Sequence, residues 1–282
     1  MRGVEFRDYA RTSDEGLDLL TGALLIARDA HPGLDLAEQT ARLDELARPL
    51  AGRGLSDLPP TVQARLLSDY LYVVCGFHGA KSDYYEPRNS FLNEVLDRKT
   101  GIPITLAVVY IEVARRLGVA ARGVGFPGHF LVRLGGRPGD PSSERNEPTI
   151  VDPFHQGRLL DGDALTGLLR QANVRAPLSS EMLAPAPTRH IVARMLMNLR
   201  GIYTARADGP RLLLTLDRLI DLLPDLSSEL IERGKLYEKL GAPGAALADY
   251  ERYLSIEPDG ADRLLAKHAI ERLQRALSTQ RN

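Results

Sequence analysis

Three positions occur in an order that suits acyl-transfer chemistry. They are the start of an apolar helix at Gly101-Ile102-Pro103, a histidine in Phe126-Pro127-Gly128-His129-Phe130, and an aspartate in Ile150-Val151-Asp152-Pro153. In a thiol enzyme, a cysteine at the N-terminus of a buried helix is held as thiolate by the helix dipole and by a histidine on a facing strand. An acidic or amide side chain on the next strand then fixes the tautomer of that histidine. His129 and Asp152 have the right types in the right order, and the intervals leave room for helix, turn and strand. Position 103, however, is proline, which has no atom able to attack a carbonyl. Deleting a triad nucleophile costs about 10⁶-fold in turnover in the subtilisin case, so thiol-based acyl transfer is not expected.

A hydroxyl could replace the thiol only if His129 lay within hydrogen-bond reach as its base. Thr105, two residues into the helix, and Ser90, upstream of it, are the candidates. Asn89 and Gly128 flank these groups and are candidate binding positions, although Asn89-Ser90 also suits a helix cap before Phe91. The blander reading makes His129 and Asp152 a structural hydrogen-bonded pair. His155 lies three residues past Asp152, and on an extended strand it would face the opposite way. No metal site and no cofactor are therefore expected. Cys75, in Leu71-Tyr72-Val73-Val74-Cys75-Gly76-Phe77, reads as an inert core residue.

The elements that would position these groups follow from periodicity. Helical spacing between Leu17 and Leu50, broken at His31-Pro32-Gly33, predicts two helices. A third, from Thr61 to Val74, follows Pro59-Pro60, and a fourth covers Phe91 to Asp97. Pro103 suits the first position of a helix and Gly118 its stop, and the apolar run between them predicts a central buried helix. Val119 to Phe126, His129 to Leu134 and Thr149 to Phe154 read as strands of an antiparallel sheet, with 135–148 as an exposed loop. Ala184-Pro185-Ala186-Pro187 marks a boundary between domains at 1–184 and 189–282. Beyond it Leu223-Pro224-Asp225 recurs as Glu257-Pro258-Asp259, an offset of 34 residues. The same offset pairs Tyr203 with Tyr237, Ala207 with Gly241 and Leu212 with Ala246, which is the tetratricopeptide period. Arg263 to Leu277 would cap the array. The arginines at 189, 194, 200, 206, 211 and 218 read as a solvated helix face, or less simply as a docking strip for an acidic peptide.

Together these features predict an α+β, papain/transglutaminase-like domain, a buried helix packed on an antiparallel sheet, followed by an α-helical tetratricopeptide-type array. The run from Tyr84 to Phe154, with Gly101-Ile102-Pro103-Ile104-Thr105-Leu106-Ala107, Phe126-Pro127-Gly128-His129-Phe130-Leu131 and Val151-Asp152-Pro153-Phe154, resembles the bacterial SirB-one family. That resemblance implies a transglutaminase-like domain joined to tetratricopeptide repeats. It places Pro103 on the cysteine position, and His129 and Asp152 on the other two triad positions. It carries no enzymatic activity with it.

Composition bounds the partners. The chain has 282 residues, with 36 basic against 37 acidic side chains and one cysteine. It lacks the net field that would draw in nucleic acid or an anionic membrane, and it can form neither an internal disulfide nor a multi-thiolate zinc site. No apolar run approaches the length of a membrane span. The expectation is a cytoplasmic binding or scaffold protein that holds a protein or peptide through residues 189–282. The alternative is a hydrolase or acyltransferase using Ser90 or Thr105 with His129 and Asp152.

Overall fold

The computed structural model describes residues 4–135 and 148–279. Most of the loop expected over 135–148 lies outside the described residues. In chain order the elements are α1 (Phe6–Ala10), α2 (Leu19–Ala30), α3 (Leu36–Ala47), α4 (Pro60–Ser68), β1 (His78–Gly79), α5 (Leu92–Arg98), β2 (Thr100–Gly101) and α6 (Pro103–Arg116). They continue with β3 (Ala121–Val124), β4 (Leu131–Leu134), β5 (Thr149–Asp152), β6 (Arg158–Leu160) and α7 (Gly162–Gln171). The last five are α8 (Thr188–Ala205), α9 (Gly209–Leu222), α10 (Ser227–Lys239), α11 (Pro243–Ile256) and α12 (Arg263–Thr279). The chain divides into two compact units, one from Ser13 to Met195 and one uniting Met1–Thr12 with Leu196–Asn282.

In the first unit α6 is the hub. Every residue from Pro103 to Ala114 is buried, including Glu112, whose carboxylate is paired with Arg115 and Arg116. A helix apolar on all sides needs cover on all sides, and α6 packs against α3, α5, β3, β4 and the turn that follows β5. Pro103 opens it where a missing N–H is harmless, and Gly118 leaves it with φ +71°. The four-stranded sheet runs β3-β4-β5-β6, antiparallel throughout. Its outward-directed apolar residues Val124, Leu131 and Ile150 join Leu165 and Leu169 of α7 in one buried cluster. The sheet is therefore covered by helices on both faces, an α+β arrangement. A short parallel pair, β1 with β2, sits just ahead of α6.

α4 runs on into a π-helical turn, Asp69–Val74, which widens the helix and leaves Val73 and Val74 78% and 73% exposed. Cys75 follows them half-buried, so it is not a core residue.

The second unit is helical. The buried faces of α10, α11 and α12 meet around Leu230, Ile231, Ala246, Tyr250, Tyr253, Ala266, Ala269 and Leu273. A Cβ at Gly234 would lie 2.9 Å from the Tyr250 ring, so only glycine admits the tyrosine there. The pairing of Ala207 with Gly241 is visible in the backbone: both adopt the left-handed conformation, at φ 54° and 71°. α1 joins this unit by packing on α9, with the Arg218 guanidinium 5.1 Å from the Phe6 ring and Arg7 bonded to Asp221 at 3.4 Å.

Candidate functional site

His129 and Asp152 come together as their order in the chain suggests. The turn Pro127-Gly128 carries His129 into β4; Gly128 takes φ +68°, and a Cβ there would lie 2.9 Å from the Ala172 Cβ. Asp152 closes β5, which is paired with β4, so it stands beside the turn that leads into β4 and carries His129. His129 Nε2 lies 2.9 Å from Asp152 Oδ1, with the two side chains 12% and 3% exposed.

Asp152 does more than hold one imidazole. Pro153 ends the strand, and Pro153–His155 form a 3-10 turn capped by Asp152, whose Oδ1 accepts from Phe154 N–H at 3.0 Å and His155 N–H at 3.2 Å. That turn brings His155 back, so that its Nδ1 lies 2.7 Å from Asp152 Oδ2. The expectation that residue 155 faces away therefore fails, because the extended geometry it assumed stops at residue 152. The His129 and His155 rings stack, with centroids 5.7 Å apart and planes 25° from parallel. Burial pushes the Asp152 carboxyl up, but the hydrogen bonds and charge of His129, and then of His155, outweigh it and hold the group below the usual carboxylate range.

The other candidates are placed differently. Pro103 is buried at the first position of α6, the helix that packs against the Pro153–His155 turn. The Thr105 hydroxyl donates to the Asn89 carbonyl at 2.8 Å and accepts from the Ile102 N–H at 3.1 Å, which fastens the helix start rather than arming a nucleophile. Ser90 Oγ is buried without a hydrogen-bond partner. Asn89 is also fully buried; its amide donates to the Asp83 carbonyl at 2.6 Å and accepts from Arg98 at 2.9 Å.

Sequence reasoning missed two contributors besides His155. Arg194 donates to the His129 carbonyl at 2.6 Å and lies 5.4 Å from the Phe130 ring, and burial lowers the pKa of its guanidinium. The solvated arginine face is thus only partly realised: Arg189 binds Asp14, Arg200 binds Glu229 and Arg211 binds Asp208. Phe154 stands edge-on to His129 and to Tyr84, forming an aromatic wall beside the imidazoles. The available signal for His155 was Asp-Pro, an aspartate followed by the residue that suits the first position of a helical turn.

A cavity of about 550 Å³ opens beside the turn, bordered by His78, Lys81, Thr100, Phe154 and His155. Gly79 forms part of its floor, and a Cβ there would fall 2.6 Å from the Phe154 carbonyl oxygen and 2.7 Å from its ring. Gly79→Ala is expected to cost about 1–3 kcal/mol, since backbone cannot yield as a flexible side chain can. Chemical unfolding of the full chain checks it, and a loss under 0.5 kcal/mol, about the size of an ordinary surface change, would show that the turn moves freely.

Fold and site define a class: residues 37–197 match the transglutaminase-like superfamily, and residues 199–271 match the tetratricopeptide repeat. A UPF0162 protein of Xylella fastidiosa (strain Temecula1) is 38% identical over 257 residues, 90% of this chain and 89% of the relative. A UPF0162 protein of Pseudomonas aeruginosa is 31% identical over 251 residues, 87% of each chain. Human F-box only protein 21 is 25% identical over 288 residues, which span 96% of this chain and 43% of that protein. No solved structure matches. The chain belongs to the UPF0162 family.

Proposed function

We propose that this protein works by binding, with a transglutaminase-like domain that does not perform transglutaminase chemistry and a repeat array, within residues 189–282, that engages a protein or peptide partner. The observation that carries the reading is Pro103 at the start of α6, in a domain that still holds its His129–Asp152 pair at 2.9 Å. Without an atom to attack a carbonyl, the pair has no proton to take in the first step of acyl transfer. The hydrogen bonds of Thr105 support the same reading, because its proton is committed to the Asn89 carbonyl. Tetratricopeptide arrays present extended concave surfaces to their ligands. Among the described residues no helix is long and apolar enough to cross a membrane, and the balanced charge favours no nucleic acid. The single cysteine suits the cytoplasm.

The test exposes the full-length chain to a fluorophosphonate probe and, separately, to a fluorescent primary amine with a glutamine-bearing protein substrate. Labelling and amine incorporation should both stay at background and be unchanged by His129→Ala. Stoichiometric labelling that disappears in His129→Ala would replace this reading with a hydrolase or acyltransferase based on Ser90 or Thr105.

A further inference from the structure

The cluster around Asp152 contains more than a relic pair requires. One ring nitrogen from each of His129 and His155 and a carboxylate oxygen of Asp152 all lie within 4.8 Å of one another, with His129 Nε2 and His155 Nδ1 each against the carboxylate. Two imidazoles and one carboxylate are a donor set for first-row divalent transition metals, and they leave coordination positions open. We propose that His129, Asp152 and His155 form a binding site for a divalent ion of the zinc class.

Geometry supports capture with little movement. Bonds of about 2.0–2.2 Å to a tetrahedral ion put donor atoms roughly 3.3–3.5 Å apart, so the two hydrogen-bonded contacts, at 2.9 and 2.7 Å, must open slightly while the widest separation in the cluster closes. His155 can supply that motion, since its side chain is 48% exposed and sits on a short turn, whereas His129 and Asp152 are 12% and 3% exposed, Asp152 at the end of β5. The outer contacts that steady metal ligands are in place: Phe154 and His155 N–H groups hold the carboxylate, and Arg194 holds the His129 carbonyl. The cavity bordered by Phe154 and His155 adjoins the most exposed of the three ligands. Binding requires lone pairs where the two imidazoles now face the carboxylate. In the metal-bound form each ring therefore carries its proton on the other nitrogen, Nδ1 in His129 and Nε2 in His155. The site does not depend on the binding role proposed above, because it uses neither Pro103 nor the repeats.

Full-length protein freed of metal with a chelator is titrated with Co²⁺, following its visible d–d bands, and then with Zn²⁺ in competition. One equivalent should bind and be displaced by zinc, and His155→Ala should weaken affinity by about tenfold or more. Imidazole ¹⁵N spectra of the unsubstituted protein give a second measurement: two of its six histidines should shift on adding one equivalent of Zn²⁺. Absence of d–d bands, a titration unchanged by both His129→Gln and His155→Ala, or spectra in which no histidine pair shifts would overturn the assignment.

Discussion

Arg233→Ala should lower stability by about 3–5 kcal/mol, read as a fall in the urea midpoint for unfolding of the repeat unit. Arg233 donates to both oxygens of Asp249, at 2.8 and 2.6 Å, and to Asp217 at 2.7 Å. Burial alone would lower the pKa of this guanidinium, but its two carboxylate partners more than reverse that. Asp249 is 4% exposed, so truncating the arginine leaves a buried carboxylate facing no counter-charge. The cost comes chiefly from that stranded charge and only secondarily from the pair's own attraction, which makes the double variant informative. Arg233→Met with Asp249→Leu should recover most of the loss. Arg233→Lys should fall between, since one ammonium cannot reproduce a two-pronged contact. If the double variant is as unstable as Arg233→Ala, the stranded-charge account is wrong.

The second large effect is at Asp152. Asp152→Ala should cost about 2–4 kcal/mol, because the buried carboxylate serves four donors: His129 Nε2, His155 Nδ1 and the N–H groups of Phe154 and His155. Asp152→Asn should cost much less. Its amide oxygen can still accept from the turn and from His129, while His155 can adopt the tautomer that accepts from the new NH₂. Thermal unfolding of the two variants separates them, and equal losses would mean that the cap contributes little.

Much of the frame was legible because local chemistry and tertiary need agree there. Pro103 and Gly118 bracket α6, and an apolar surface all the way round could only mean burial on every side. The His129–Asp152 contact was readable from strand order, since a hairpin return places neighbouring strand ends together. What escaped notice lay where one periodicity gives way to another. The two-residue alternation of a strand turns His155 away from Asp152, yet the strand ends at Asp152 and the turn begins at Pro153. The apolar neighbours of Cys75 point to a core position, yet the π-helical turn shifts which residues face inward and sends Val73 and Val74 to the surface. The grouping of residues 1–12 with the C-terminal helices left no local trace, because a five-residue helix with Phe6 and Tyr9 buried suits any apolar surface equally well. The arginines of α8 and α9 form a solvated face only in part for a related reason: helical spacing does not reveal which carboxylate, carbonyl or ring lies opposite each one.

The Tyr250 ring fills the space left by Gly234, its hydroxyl reaches Glu238 at 2.9 Å, and the other oxygen of Glu238 receives Arg272 at 2.5 Å. Three successive helices are thus fastened through one phenol and one carboxylate, and they cannot slide past one another without breaking both. A peptide engaging the array as proposed above would meet helices already tied to one another, so little ordering entropy would oppose its docking.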